Sequence, residues 1–151
     1  MIVYRIAKKE YIEDLSGKGA AIYGGRWNCK NTYIVYTAES RALALLESLA
    51  HIGKIQDNIF SIASIFIPDN FINIILKENL SPYWYSNPPP DYLRIIGDNF
   101  ITNKKNLALK IPSVIVPDEY NYLLNPSHIE FNKIKIINVQ PLELNKRLST
   151  V

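Results

Sequence analysis

The chain has one cysteine, two histidines, six glycines and a small excess of positive charge, and each shortage removes a class of protein. A single thiol, Cys29, cannot form an internal disulfide, and one cysteine with two distant histidines lacks the spacing of a metal site. Seventeen basic against fourteen acidic residues leave a net charge of +3, short of the dense basic surface that phosphate-backbone binding requires, so direct nucleic-acid binding is not expected. No uncharged apolar run is long enough to span a membrane, the best stretches being broken at Pro68, Asp69 and Lys77. The start MIVYRIAKKEY has no long apolar core or cleavage site, so a cytoplasmic protein is expected.

What is present reads as one domain over residues 1–151 with an average hydrophobic share of 48%. Residues 2–6 predict a first strand, and the polar stretch 8–19 a loop. TYIVY at 32–36 predicts a strand, with Thr37 as the N-cap of a helix over about 38–52 stopped by Gly53. The alternation in IFSIASIFI predicts a half-buried strand over 59–67, and 71–76 reads as a strand or a turn of helix. Three consecutive prolines make 81–90 a surface loop. A short helix over 92–100, a strand over 108–116 interrupted by Pro112, a turn or short helix at EYNYLLNP and a last strand over 133–139 complete the reading. Strands outnumber helices without a βαβα rhythm, so the class is α+β with a mixed sheet.

Several residues stand out chemically. Arg26 lies between two glycines and Trp27, where a guanidinium can bond carboxylate or phosphate oxygens, or simply pack over the indole. Glu47 is expected at the margin of an apolar helix face formed by Ala42, Leu45, Leu46 and Leu49. Such a carboxylate is ordinarily solvated; the alternative is a rigid, partly desolvated acid that balances positive charge at a sugar carbon. Tyr36 offers core packing or a flat stacking surface. Ser113 lacks a Gly-x-Ser-x-Gly elbow, so it reads as a strand residue or a hydrogen-bond donor rather than a nucleophile. His51 reads as a helix-end residue and His128 as a turn cap.

Taken together, YRI at 4–6, GGRWN at 24–28, VYTAES-RALALLE at 35–47 with His51, and IPSVIVPDEYNYLLNPSH at 111–128 resemble the RES domain family over nearly the whole chain. The resemblance implies a fold like that of ADP-ribosyltransferase toxins, and NAD+ as substrate with no separate cofactor. It makes Arg26, Tyr36, Glu47 and Ser113 the catalytic set, with Arg5, Gly25, Asn121 and Asn125 as binding support. It implies the toxin of a type II toxin–antitoxin pair, with a helix-turn-helix antitoxin as partner and room for a homo-oligomer in the complex. Cleavage of NAD+ by water or phosphate is the first reading, because Leu45 replaces one acid of the paired-acid pattern of many arginine-modifying transferases. ADP-ribosylation of a protein and a non-enzymatic binding module are the alternatives.

Overall fold

The computed structural model describes residues 1–148. A seven-stranded mixed sheet runs in the order β4-β5-β6-β2-β1-β3-β7. Its strands are β1 (Ile2–Lys8), β2 (Val35–Ala38), β3 (Phe60–Phe66), β4 (Ile72–Ile74), β5 (Ala108–Pro112), β6 (Tyr120–Leu124) and β7 (Lys135–Pro141). The helices are α1 (Lys18–Tyr23), α2 (Arg41–Ile52) and α3 (Asp91–Asn103). Every strand pair is antiparallel except β4–β5, which are parallel and joined through α3, so the predicted α+β class and mixed sheet hold.

Local chemistry explains most element boundaries. Thr37 is not the helix cap: it lies within β2, its Oγ1 donating to the Tyr122 carbonyl at 2.8 Å. The cap is Ser40, whose Oγ accepts the Leu43 N–H at 3.0 Å, and Gly53 ends the helix at φ 81°. Pro112 ends β5 rather than interrupting a longer strand, and the chain turns from Ser113 until the Ser113 N–H meets the Glu119 carbonyl at 2.9 Å. EYNYLLNP is neither turn nor helix. Tyr120–Leu124 forms the strand β6, paired on both sides with β5 and β2. Helix α1, six residues stopped at Gly24, begins in the last two residues of the stretch read as a loop and runs beyond it. Residues 81–90 form the loop expected of their prolines.

The sheet has two covered faces. Val3, Val35, Ala63, Ile65, Tyr122 and Leu124 point to one and pack against Ile12 and Ile134 from the loops. On the other, Tyr4, Ile6 and Ala38 meet Leu43 and Ala44 of α2, while Leu109, Ile111 and Leu123 meet Leu93, Phe100 and Ile101 of α3. Between the two helices this second face presents Tyr36 and Asn121, the register partners of Leu123 and Ala38. The cleft is thus a consequence of two helices sharing one face of one sheet.

Helix α3 approaches the Trp27 backbone so closely that a Cβ on Gly97 would lie 1.6 Å from the Trp27 carbonyl oxygen. Gly97→Ala is therefore expected to destabilise the fold by about 2–3 kcal/mol, lowering Tm by roughly 4–12 °C. Gly19→Ala, in α1 with nothing within 4 Å of the new methyl, should leave thermal unfolding unchanged or slightly raised.

Candidate active site

The turn that carries Arg26 is built around a buried amide. Helix α1 ends with the Gly24 N–H bonded to the Ala20 carbonyl at 2.8 Å, and the Gly25 N–H then meets the Asn28 carbonyl at 3.0 Å. Asn28 is fully buried; its Nδ2 donates to the carbonyls of Ala20 and Cys29, both at 2.9 Å, and its Oδ1 accepts from the Tyr36 hydroxyl at 2.7 Å. The same hydroxyl accepts the Trp27 N–H at 3.1 Å. Burial of this phenol end pushes its pKa well above the usual tyrosine value, so it stays protonated and donating. Tyr36 nevertheless remains 36% exposed, so a buried hydroxyl holds a ring that solvent reaches. Gly25 is needed for this contact, since a Cβ there would lie 2.7 Å from the Tyr36 hydroxyl. The absent side chain thus makes room for Tyr36.

Glu47 is the second element. It follows Leu43 by four residues and Ala44 by three, which places it on the sheet-facing stripe of α2 rather than at its margin. Leu46, expected on the apolar face, is 44% exposed instead. Two donors converge on one carboxylate oxygen: Ser113 Oγ at 2.6 Å and Asn121 Nδ2 at 2.7 Å reach Glu47 Oε1. The Ser113 hydroxyl in turn accepts the N–H groups of Ile115 and Val116, each at 3.0 Å. With its acceptor capacity filled and its proton committed, fully buried Ser113 is a positioning residue for Glu47. Among the described residues Glu47 Oε2 has no partner.

Arg26 is held from the proline-rich loop, its Nη1 donating to the carbonyls of Trp84 at 3.1 Å and Ser86 at 2.9 Å. Among the described residues it forms no ion pair. Desolvation lowers its pKa from the ordinary value; Glu47 and Tyr36 oppose that shift and Arg94 adds to it. Arg26, Tyr36 and Glu47 therefore share one electrostatic environment, with Ser113 and Asn121 behind the carboxylate.

Two predicted binding residues lie elsewhere. Arg5 alternates with Tyr4 and Ile6, so it points to the opposite face of the sheet, where its Nη1 donates to the carbonyls of Tyr11 and Ile12. Asn125 is fully buried, with Nδ2 on the carbonyls of Phe100 and Ile101, both at 3.3 Å, tying α3 to the end of β6. Both are structural. His128 caps its turn as expected, Nδ1 accepting the Glu130 N–H at 3.0 Å. Sequence reasoning missed Asn28 as the support of Tyr36, although GGRWN contains it, and Arg94, for which no local signal exists.

The family profile for the RES domain matches residues 2–145. The chain belongs to the RES domain family. Among RES proteins it is 38% identical to "Toxin Res" of Yersinia enterocolitica, across 94% of each chain. It is also 38% identical to "Prs ADP-ribosylating toxin" of a Sphingobium species, across 85% of this chain and 82% of that one. The RES fold is shared with the crystal structure of the M. tuberculosis MbcT-MbcA toxin–antitoxin complex, at TM-score 0.77 and 15% identity, covering 93% of this chain and 83% of that one.

Removing the phenol oxygen would strand Asn28 Oδ1 and the Trp27 N–H. Tyr36→Phe is accordingly expected to cost about 1–3 kcal/mol in urea unfolding although the ring survives. Gly25→Ala should cost less in that background than in the wild type, because its closest clash is with the deleted oxygen; strict additivity in the double-mutant cycle would contradict the contact.

Proposed function

We propose that this RES-family toxin breaks the bond between nicotinamide and ribose in NAD+. The supporting observation is the Glu47 carboxylate, with one oxygen doubly bonded by Ser113 and Asn121 and the other unengaged. The leaving group is a pyridinium that departs as neutral nicotinamide with the bonding electron pair, so little acid catalysis is required. Positive charge remains on an oxocarbenium-like ribose. Glu47 Oε2 accepts a ribose hydroxyl and balances that charge, the exposed Tyr36 ring stacks on the nicotinamide, and the free Nε and Nη2 of Arg26 hold the dinucleotide. An acceptor lone pair then forms the new bond to the sugar, and the acceptor releases a proton. Water yields ADP-ribose and phosphate a phosphorylated ADP-ribose. No separate cofactor enters, and the reaction proceeds in the cytoplasm.

Transfer to a protein is the second reading. Its support is the name of the Sphingobium relative and the loop that grips Arg26, which exposes Tyr83 by 72% and Tyr85 by 58% at the residues flanking Trp84. An enzyme that destroys NAD+ endangers its own cell, so we propose a helix-turn-helix antitoxin that covers the same cleft, drawn by Arg26. No helix among the described residues is long and apolar enough to cross a membrane.

Glu47→Gln keeps the shape of the side chain and removes its charge. NAD+ loss is expected to fall by about 10²–10³-fold with thermal unfolding unchanged. Mass spectrometry of NAD+ incubated with purified protein, with and without phosphate, reads the acceptor; undiminished turnover in a folded variant would overturn the assignment. Arg26→Lys should also be severely impaired, because an ammonium cannot hold the Trp84 and Ser86 carbonyls and the substrate in one plane.

A further inference from the structure

Arg94 belongs to none of the family segments that carry the resemblance, yet it reaches the cleft from the first turns of α3. Its Nε donates to the Gly25 carbonyl at 3.2 Å and its Nη1 to Asp91 Oδ1 at 2.8 Å. Gly25 directly precedes Arg26, so Arg94 is bonded to the carbonyl of the peptide that leads into Arg26. Arg26 is held by the neutral carbonyls of Trp84 and Ser86. Among the described residues Arg94 Nη2 and Arg26 Nε and Nη2 have no partner. The Arg94 side chain is 34% exposed, whereas its carboxylate partner Asp91 is 91% exposed and weakly bound for that reason. Desolvation lowers the Arg26 pKa and Arg94 adds to that lowering, while burial raises the Tyr36 pKa against it. Arg26 Nε and Nη2 and Arg94 Nη2 thus leave three N–H-bearing nitrogens of two cationic side chains open to an anion near the Gly25–Arg26 peptide. A single carboxylate fills the Nε–Nη2 fork of Arg26; the further donor at Arg94 Nη2 suits an anion with two linked charged centres.

We propose that Arg94 is the second cation of a diphosphate clamp, acting with Arg26 across the Gly25–Arg26 peptide to hold the pyrophosphate of a dinucleotide. The clamp deepens the NAD+ reading and rests on it for the identity of the dinucleotide alone. It assigns Arg94 to substrate binding rather than to bond cleavage. Asp91 competes with the anion for Nη1, so its removal frees a donor.

The test uses the purified full chain with inorganic pyrophosphate as probe in titration calorimetry, alongside steady-state NAD+ consumption. R94Q is expected to weaken pyrophosphate binding about tenfold and to raise KM for NAD+ by a similar factor, with kcat within about twofold of wild type. Inhibition by nicotinamide should be unchanged. D91N should bind pyrophosphate at least as tightly as wild type, which a purely structural Asp91–Arg94–Gly25 bridge would not allow. If R94Q fails to fold, R94K decides: a charge without the fork should still weaken pyrophosphate binding. Unchanged pyrophosphate affinity in R94Q, equal weakening in D91N and R94Q, or no pyrophosphate binding by wild type would each overturn the clamp. Arg94-dependent pyrophosphate binding by a wild type that consumes no NAD+ would retain the clamp and remove the NAD+ reading. NAD+ consumption with an unchanged KM in R94Q would do the reverse.

Discussion

The Asn28 side chain, buried without exposure to solvent, is the contact on which the cleft depends. A primary amide in a low-dielectric interior must satisfy its donors and its acceptor or cost several kilocalories per mole. Asn28 does so by drawing three separate pieces of chain together: the end of α1 through Ala20, its own turn through Cys29, and β2 through the Tyr36 hydroxyl. Once these are joined, Arg26 has one place to go. It emerges at the tip of a turn whose inner side is filled by Trp27 and Asn28, and it is caught by the carbonyls of the proline-rich loop. An arginine sits in a pliable glycine segment because the segment must fold tightly around a tyrosine oxygen. The pliability serves the scaffold, and the charge serves the opening.

The two sides of the cleft are stabilised by different means. On the Arg26 side, neutral carbonyls hold a cation, leaving its charge uncompensated by any carboxylate within bonding distance. On the Glu47 side, neutral donors from Ser113 and Asn121 hold an anion. Had Arg26 and Glu47 been paired with one another, each would have quenched the field that a charged substrate needs. Holding each by uncharged groups keeps both available and fixes their geometry. Asn121 contributes at a cost, since its Oδ1 is buried without a partner. A site that tolerates such an unsatisfied acceptor is arranged for the carboxylate next to it rather than for stability.

Much of the secondary structure was legible because it obeys short-range rules. The strand at residues 60–66, the glycine stop after α2 and the proline block of residues 81–90 are each read from a few neighbours, although β3 is buried on both faces, rather than half-buried as its alternation suggests, because both faces of the sheet are covered there. The failures share the opposite property. The stretch EYNYLLNP carries two asparagines and ends in proline, which locally suggests a turn, but Tyr120–Leu124 within it sits between β5 and β2 and gains its conformation from them. Glu47 was misplaced for a related reason. The leucines of α2 suggest an apolar stripe through Leu45, Leu46 and Leu49, whereas the sheet selects Leu43 and Ala44 because β1 and β2 present Tyr4, Ile6 and Ala38 at that angle.

The sequence by itself determined the family and the class of fold. Arg26, Tyr36, Glu47 and Ser113 stand in three short motifs whose order and spacing carry the resemblance, and the class of fold follows from the same chain. The tertiary structure alone decided which side chains meet and what holds them. Ser113 lies 66 residues from Glu47 and Asn121 lies 74 from it, while Arg94 lies 69 from the Gly25 carbonyl. No local period encodes a contact at that separation. Arg5, read as a cleft residue, faces away because a strand sends successive side chains to opposite sides, and the packing of α2 over Tyr4 and Ile6 settles which side is which. Motifs report which residues carry chemistry, and the pairing of distant strands reports which of them meet.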